Sequence, residues 1–371
     1  MNMIVYLWYV AFFALIIVGM KFAGKGKWNE DVMSFDQTKA FLGFCSVAIV
    51  LHHCSHKTCV DYIPVQYQRP GLEMFVYVGY LCVAAFFFCS GFGLYKSLKT
   101  KPDFMKRFPV RFIPILLPYV ITLCCFIALR INRNLPVELR NPVTMPDAEP
   151  LHPFSWYIFA LVILYLSFYI GFGFVKKDWF GILAVAIGSA GYIVFCIIFE
   201  YGSWWYNSVP LFLLGILAGK YEERLMASLK KAYAGKLILF LIITAAGFVI
   251  GNYIYPSEII TVLSQVISAI TFCICMVMLG LKIKVGNPVL KFLGKMTLEL
   301  YLVHGLFIYI FNFYVIDYSG KAIMYIESVP LYVLAVFACS VPVAFLISLL
   351  DRKISKLLKG CTSTARFKNK Q

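Results

Sequence analysis

Phe35-Asp36-Gln37-Thr38-Lys39-Ala40-Phe41-Leu42-Gly43-Phe44-Cys45-Ser46-Val47-Ala48-Ile49-Val50-Leu51-His52-His53 is an apolar run with a cation near one end and two imidazoles closing the other. Its length suits a helix that crosses a bilayer, for which about 20 apolar residues are needed. An ionisable side chain at membrane depth is costly and faces a cavity or a partner rather than lipid. Imidazole also exchanges a proton near neutral pH. The stretch therefore reads both as a membrane span and as a candidate site of chemistry. On a helix, Lys39 and His53 stand about 21 Å apart along the axis. Neighbouring helix positions point about 100° apart, so only one of His52 and His53 need face the interior. An interfacial histidine pair without chemistry is the competing reading.

The surrounding chain has the same character. Apolar residues make up 61% of the 371 positions and charged residues only 14%, which places the chain outside the soluble globular class. Predominantly apolar stretches lie near 3–20, 38–56, 75–95, 111–131, 155–175, 179–199, 205–220, 236–255, 258–280, 296–314 and 329–350. They predict an all-α, polytopic transmembrane helical bundle of ten to eleven spans. Backbone groups in lipid can be satisfied only in helices or closed barrels, and spans this long and apolar do not suit a barrel.

Charge distribution supports the count. Most of the 34 Lys and Arg residues fall in segments on one side, leaving only Lys57, Arg69, Arg130, Arg133, Arg140 and Lys321 on the other. By the positive-inside rule the C-terminus is expected in the cytoplasm and the N-terminus outside. The net charge of +16 is then a requirement of insertion and of contact with anionic lipid head groups, not a nucleic-acid signal. The first span is followed rather than preceded by a cation, Lys21, the reverse of a secretory signal, and is read as a retained helix.

Cysteines 45, 82, 89, 124, 125, 196, 273, 275 and 339 fall inside spans, where they act as small apolar residues. Cys54 and Cys59 lie together on the outer side and can pair in an oxidising compartment. No Cys/His spacing resembles a metal site. The longest stretch between spans, 132–154, carries Pro136, Pro142, Pro146, Pro150 and Pro153 and is expected to be a loop. No internal repeat or soluble domain is visible. Residues 1–371 are expected to form one integral-membrane domain, with a core near 35–350, an extra N-terminal span at 3–20 and a basic cytoplasmic tail at 351–371.

Three further constellations combine polar and apolar groups. Phe86-Phe87-Phe88-Cys89-Ser90-Gly91-Phe92-Gly93 permits close helix approach and is followed by a basic loop in which Arg107 and Arg111 are one turn apart. Those two arginines can share an anionic phosphate, or serve simply as flanking cations. His152-Pro153-Phe154-Ser155-Trp156-Tyr157 and Trp204-Trp205-Tyr206-Asn207-Ser208 each open a span. Their aromatics suit membrane interfaces, or a sugar ring beside polar groups. Glu299 and His304 form an ionisable pair within the tenth span, but five residues apart they do not stack on one helix face.

Taken in order, these residues resemble the membrane-bound acyltransferase-3 family, integral-membrane enzymes that O-acylate glycans and lipids. The resemblance runs from about 35 to 350. It rests on Leu42-Gly43…His53, Phe86-Phe87-Phe88-Cys89-Ser90-Gly91, the Arg107/Arg111 region before Pro118-Tyr119, Trp156-Tyr157, Trp205-Tyr206-Asn207 and Leu293-Gly294-Lys295…Tyr301-Leu302-Val303-His304. It implies that His53, ten residues after Gly43, is the catalytic histidine. The family's cation before that glycine falls here on Leu42, with Lys39 one turn earlier as the expected substitute. A second basic position falls on Pro114, while Arg111 matches the first.

The resemblance implies acyl transfer to a hydroxyl of a glycan or lipid-linked sugar in the cell membrane. Acyl-coenzyme A, acetyl-coenzyme A by expectation, would serve as co-substrate, with no permanently bound cofactor or metal. His53 is then the general base, with His52, Glu299 and His304 as candidate support. Lys39, Arg107 and Arg111 are candidates for holding the donor, and Trp156, Tyr157, Trp205, Tyr206, Asn207 and Ser208 for the acceptor side. A transporter or flippase is the alternative, since intramembrane His and Glu also serve transport. Against it, no pair of matching interrupted helices is visible.

Overall fold

Helices, most of them apolar, account for the greater part of the chain that the structure, a computed structural model, describes: residues 6–61, 63, 65, 68–135, 137, 151–175, 177–311, 315–316, 322–323 and 326–368, without the side chains of 315–316, 322–323 and 359–368. In order they are Leu7–Ile17 (α1), Phe35–Ser55 (α2), Gly79–Thr100 (α3), Ile113–Asn132 (α4), Trp156–Phe174 (α5), Asp178–Ile198 (α6), Pro210–Lys220 (α7), Glu222–Lys230 (α8), Tyr233–Val249 (α9), Glu258–Lys282 (α10), Pro288–Leu293 (α11), Thr297–Ile310 (α12) and Val329–Lys368 (α13). Pro136, Pro142, Pro146, Pro150 and Arg140 of the long loop, Lys176, Lys321 and the Cys361 side chain lie outside the described residues.

Each of the eleven apolar stretches coincides with a helix. Eight helices are long and apolar enough to cross a membrane, whereas α1 and α12 are shorter apolar helices, and α7 has 11 residues. The last helix runs without a break past residue 350 to Lys368, so the expected tail begins as a continuation of the final span. Its first residue belongs to the interior: Asp351 is buried, whereas Arg352 and Lys353 are exposed.

Local chemistry explains where the helices start. Ser34 caps α2 by accepting the Gln37 N–H at 3.4 Å, and Ser257 caps α10 by accepting from Ile260 N at 3.4 Å. Asn287 caps α11 through Val289 N at 2.8 Å, with Pro288 at the first helical position. The same asparagine donates to the Leu15 carbonyl at 2.9 Å, which fastens α1 to α11.

The segment between α1 and α2 straps across the end of α10. Lys21–Phe22 pairs antiparallel with Ile283–Lys284, Asn29 donates to the Gly280 carbonyl at 3.0 Å, and Lys284 meets Asp31 at 2.6 Å. Lys284 beside it holds the Asp31 carboxyl below the usual range. The strap thereby positions the beginning of α2, where Lys39 stands.

The bundle is organised around α2 and α3, 67% buried over their membrane windows, while α9 at 17% is peripheral. Lipid is as apolar as leucine, so helices in it associate through close packing and polar contacts rather than water exclusion. Glycine supplies the close packing at two reciprocal seams. A methyl group on Gly43 would collide with the Leu290 carbonyl, and one on Gly294 with the Lys39 carbonyl, so α2 and α11 touch backbone to backbone. Gly91 against the Phe212 carbonyl and Gly215 against the Phe88 carbonyl do the same for α3 and α7. The Ser90-Gly91 stretch is thus a packing seam on one face.

Cys54 and Cys59 are free thiols, not a disulfide. Cys54 is buried, and Cys59 Sγ reaches back to the Ser55 carbonyl at 3.5 Å on its own helical turn.

Gly43→Ala should destabilise the protein by about 1–3 kcal/mol, the usual cost of overpacking. Gly191→Ala, where an added methyl meets nothing within 4 Å, should not. Thermal melts of the two variants in detergent check this; equal midpoints would show that the α2–α11 seam is not tight.

Candidate active site

The last turns of α2 bring two histidines to very different surroundings. His53 Nδ1 lies 2.7 Å from His304 Nε2 of α12, with the rings stacked at 4.9 Å and 15°. His304 Nδ1 in turn lies 2.9 Å from the Leu300 carbonyl. A carbonyl oxygen only accepts, so neutral His304 carries its proton on Nδ1 and offers Nε2 as an acceptor. His53 must then donate from Nδ1, which leaves the lone pair on its Nε2. The hydrogen-bond chain sets His53 in the tautomer of a base.

His52 shares that tautomer but has another partner. Its Nδ1 donates to the Phe75 carbonyl at 2.9 Å, and its ring occupies the space that a side chain at Gly79 would take. His56 likewise donates through Nε2 to the Val76 carbonyl at 2.9 Å. Both rings anchor the segment leading into α3.

His152, in the loop before α5, has a structural place as well. It accepts from Phe154 N at 3.2 Å on Nδ1 and therefore donates from Nε2 to Thr122 Oγ1 at 3.1 Å. Burial pushes it down to about 3, so it stays neutral while it ties the loop to α4.

A cavity of about 680 Å³ opens among α2, α3, α5, α12 and α13, and Lys39, Leu42, Lys96, Lys101, Arg111, Lys295 and Arg352 are among the residues that line it. That volume lies within the range of small-molecule sites. Glu299 and Asp351 also contribute to the wall, and Glu299 lies close enough to Lys39 for the two to attract. Lys96 is paired with Glu222 at 2.6 Å, and Arg352 is braced by Ser348 through its carbonyl at 2.9 Å and Oγ at 2.7 Å. Arg111 lies against the Phe104 ring at 4.6 Å. Cations outnumber carboxylates here, a wall suited to an anionic ligand. Arg107 is exposed and is not among the lining residues, so it does not join Arg111 there.

A small void of about 20 Å³ is lined by Val83, Phe86, Tyr157, Thr297, Leu298 and Tyr301. Phe86, Tyr157, Thr297 and Leu298 also line the large cavity, so the void continues it inward. Thr297, Tyr301 and His304 follow the i, i+4, i+7 pattern of one helical face and span about 10 Å along α12. Wall, void and histidine are thus laid out in order along a single helix. Glu299 and His304 part company accordingly, one at the cavity wall and the other at His53.

The residues expected on the acceptor side are mostly interior. Trp156 and Trp205 approach within 6.5 Å between ring centroids, and Trp205 packs on Tyr201 at 4.2 Å. Tyr157 lines the large cavity. Tyr206, Asn207 and Ser208 are all buried. Asn207 Nδ2 donates to Gln265 Oε1 at 3.0 Å, and Gln265 Nε2 donates to the Gly251 carbonyl at 2.9 Å. This network joins the turn before α7 to α10 and to the π-helical turn Ile250–Ile254 that ends α9.

Lys295, Arg352, Ser90 and Tyr165 line the cavity without having been singled out as site residues; the last two share a 2.9 Å hydrogen bond. Lys295 and Arg352 look like flanking cations in the sequence, and nothing in their spacing marks them. Tyr301 carries a legible signal, the helical spacing from Thr297 to His304.

A family model described as an acyltransferase domain, acyltransferase-3, matches residues 40–349. No curated protein and no solved structure matches the chain.

Cys89 lines the large cavity, whereas Cys45, Cys82 and Cys273 are buried. A charged, water-soluble thiol reagent should therefore modify Cys89 and spare the other three, as read by peptide mass spectrometry. An unmodified Cys89 would mean that the cavity does not admit water.

Proposed function

Because the chain belongs to the acyltransferase-3 family, whose model covers residues 40–349, we propose that it is a membrane O-acyltransferase moving an acyl group from acyl-coenzyme A to a hydroxyl of a glycan or lipid-linked sugar. Acetyl is the acyl group we assign, and the cell membrane the location. The observation that carries this reading is the hydrogen-bonded His53–His304 pair on α2 and α12, two helices that also line a cavity rich in cations.

The donor's phosphates would meet Lys39, Arg111, Lys295 and Arg352 at the basic end, which we place in the cytoplasm. The N-terminal end of α12, whose first residues line the same wall, adds its dipole to that positive potential. The slender pantetheine arm would pass Phe86, Tyr157, Thr297 and Leu298 and bring the thioester carbonyl toward His53. The acceptor hydroxyl would come from the opposite end, past Trp156 and Trp205.

His53 Nε2 takes the proton of that hydroxyl as its oxygen attacks the carbonyl carbon. When the carbon–sulfur bond breaks, the departing coenzyme A sulfur takes the proton from His53. His304 is a positioning residue: by accepting from Nδ1 it keeps the lone pair on Nε2 and the ring in place. The departure at Leu42 is met by the cations around it, since Leu42 and Lys39 line the same cavity.

His53→Ala should lower kcat by about 10²–10⁴-fold, the usual contribution of a general base. His304→Ala should lower kcat with KM for acetyl-coenzyme A unchanged. His304→Gln, whose carbonyl can still accept from His53, should restore part of the rate. Arg111→Ala should instead raise KM. Label transfer from [¹⁴C]acetyl-coenzyme A to glycan or lipid in isolated membranes reads all four, and a His53→Ala variant of native activity would end the proposal.

A further inference from the structure

Acyl transfer needs more than a base. As the carbonyl carbon becomes tetrahedral, negative charge builds on its oxygen, and a preorganised donor at that point is worth more than most other contributions. Neither histidine can serve. His53 Nδ1–H is committed to His304, and His304 Nδ1–H to Leu300.

One tyrosine ring beside them carries a buried hydroxyl without a partner among the described residues. Tyr301 is 5% exposed, and its phenol oxygen is buried with no hydrogen bond to any described residue. An unsatisfied buried hydroxyl costs about 1–3 kcal/mol and persists where something repays it. The ring lies 6.2 Å from His53 and 5.9 Å from His304 between centroids. Tyr301 also lines the small void through which the large cavity continues inward. It is one turn deeper than Thr297 and one turn short of His304 on the same face of α12. Tyr157, which lines the same void, packs edge-on against the Tyr301 ring at 5.2 Å.

We propose that Tyr301 is the oxyanion donor of the transfer, its hydroxyl hydrogen-bonding to the thioester carbonyl oxygen as charge develops there. The inference rests on the acyl-transfer reading above. In the first step His53 Nε2 removes the acceptor proton, the new carbon–oxygen bond forms, and the carbonyl π pair moves onto the oxygen facing Tyr301. In the second step that pair returns, the carbon–sulfur bond breaks, and the proton passes from His53 to sulfur. Tyr301 keeps its own proton throughout. It is a hydrogen-bond donor, not an acid, so no further reactant is needed.

Tyr301→Phe removes one oxygen and leaves the ring packing. We expect kcat for [¹⁴C]acetyl transfer in membranes to fall by about 10²–10³-fold, the effect of deleting one such donor, with KM for acetyl-coenzyme A unchanged. The melting temperature should stay equal or rise, because an unpartnered buried hydroxyl is lost. Where Tyr301→Phe fails to accumulate, 3-fluorotyrosine at position 301 keeps the hydroxyl but strengthens it as a donor, and should change kcat without changing KM. A Tyr301→Phe enzyme within about tenfold of the native kcat, below the loss of even one such donor, overturns the assignment, as does a 3-fluorotyrosine enzyme of native kcat. Native protein that transfers no label overturns the acyl-transfer reading itself, which keeps the two failures distinct.

Discussion

Two imidazoles far apart in the chain, His53 and His304, solve each other's problem inside a lipid-embedded bundle. Polar nitrogen at that depth must find a partner within the protein. The 2.7 Å contact between them joins α2 to α12, and the Leu300 carbonyl behind His304 gives the pair a direction. Without that carbonyl, either ring could be the donor. With it, the lone pair belongs to His53. The same interaction that satisfies buried nitrogen thus leaves a lone pair on His53 Nε2, the tautomer that the proposed role as a base requires.

The rest of the site follows from how α2 and α12 are held. Close backbone contact at Gly43 and Gly294 brings α2 against α11 immediately before α12 begins. The strap between α1 and α2 braces the same end through Asp31 and Lys284. Cations from distant parts of the chain, Lys39, Arg111, Lys295 and Arg352, consequently meet around one cavity. Positive potential there sums over several groups, so in the proposed reading no single position, Leu42 included, has to supply it.

Sequence reasoning went furthest where membrane physics constrains each residue separately. Eleven apolar stretches correspond to eleven helices, because a backbone in lipid has no alternative to helix formation at these lengths. Spacing to Gly43 favours His53 over His52; in the structure both rings donate through Nδ1, His52 to the Phe75 carbonyl and His53 to His304. Arg107 and Arg111 looked equivalent, one turn apart, yet Arg107 is exposed and only Arg111 lines the cavity. Asn207 and Ser208 resembled sugar-facing polar groups, but both are buried and Asn207 bonds Gln265. Composition marks a polar residue in a span as costly; it does not say whether a ligand or another helix meets that cost.

By itself the sequence determined the helical membrane class, the helices and the candidate base, because hydropathy and the expense of buried charge act locally along the chain. Only the tertiary structure decided that His304 orients His53, that Glu299 belongs to the cavity wall instead, and that Lys295 and Arg352 join that wall. Those pairings depend on which helix faces come together, and Lys39 and Arg352 meet across more than 300 residues of chain. Tyr301 lies between the two cases. Its spacing from His304 is written in the sequence, but that its hydroxyl is buried and unpartnered, on a ring that approaches His53, is a property of the packed bundle.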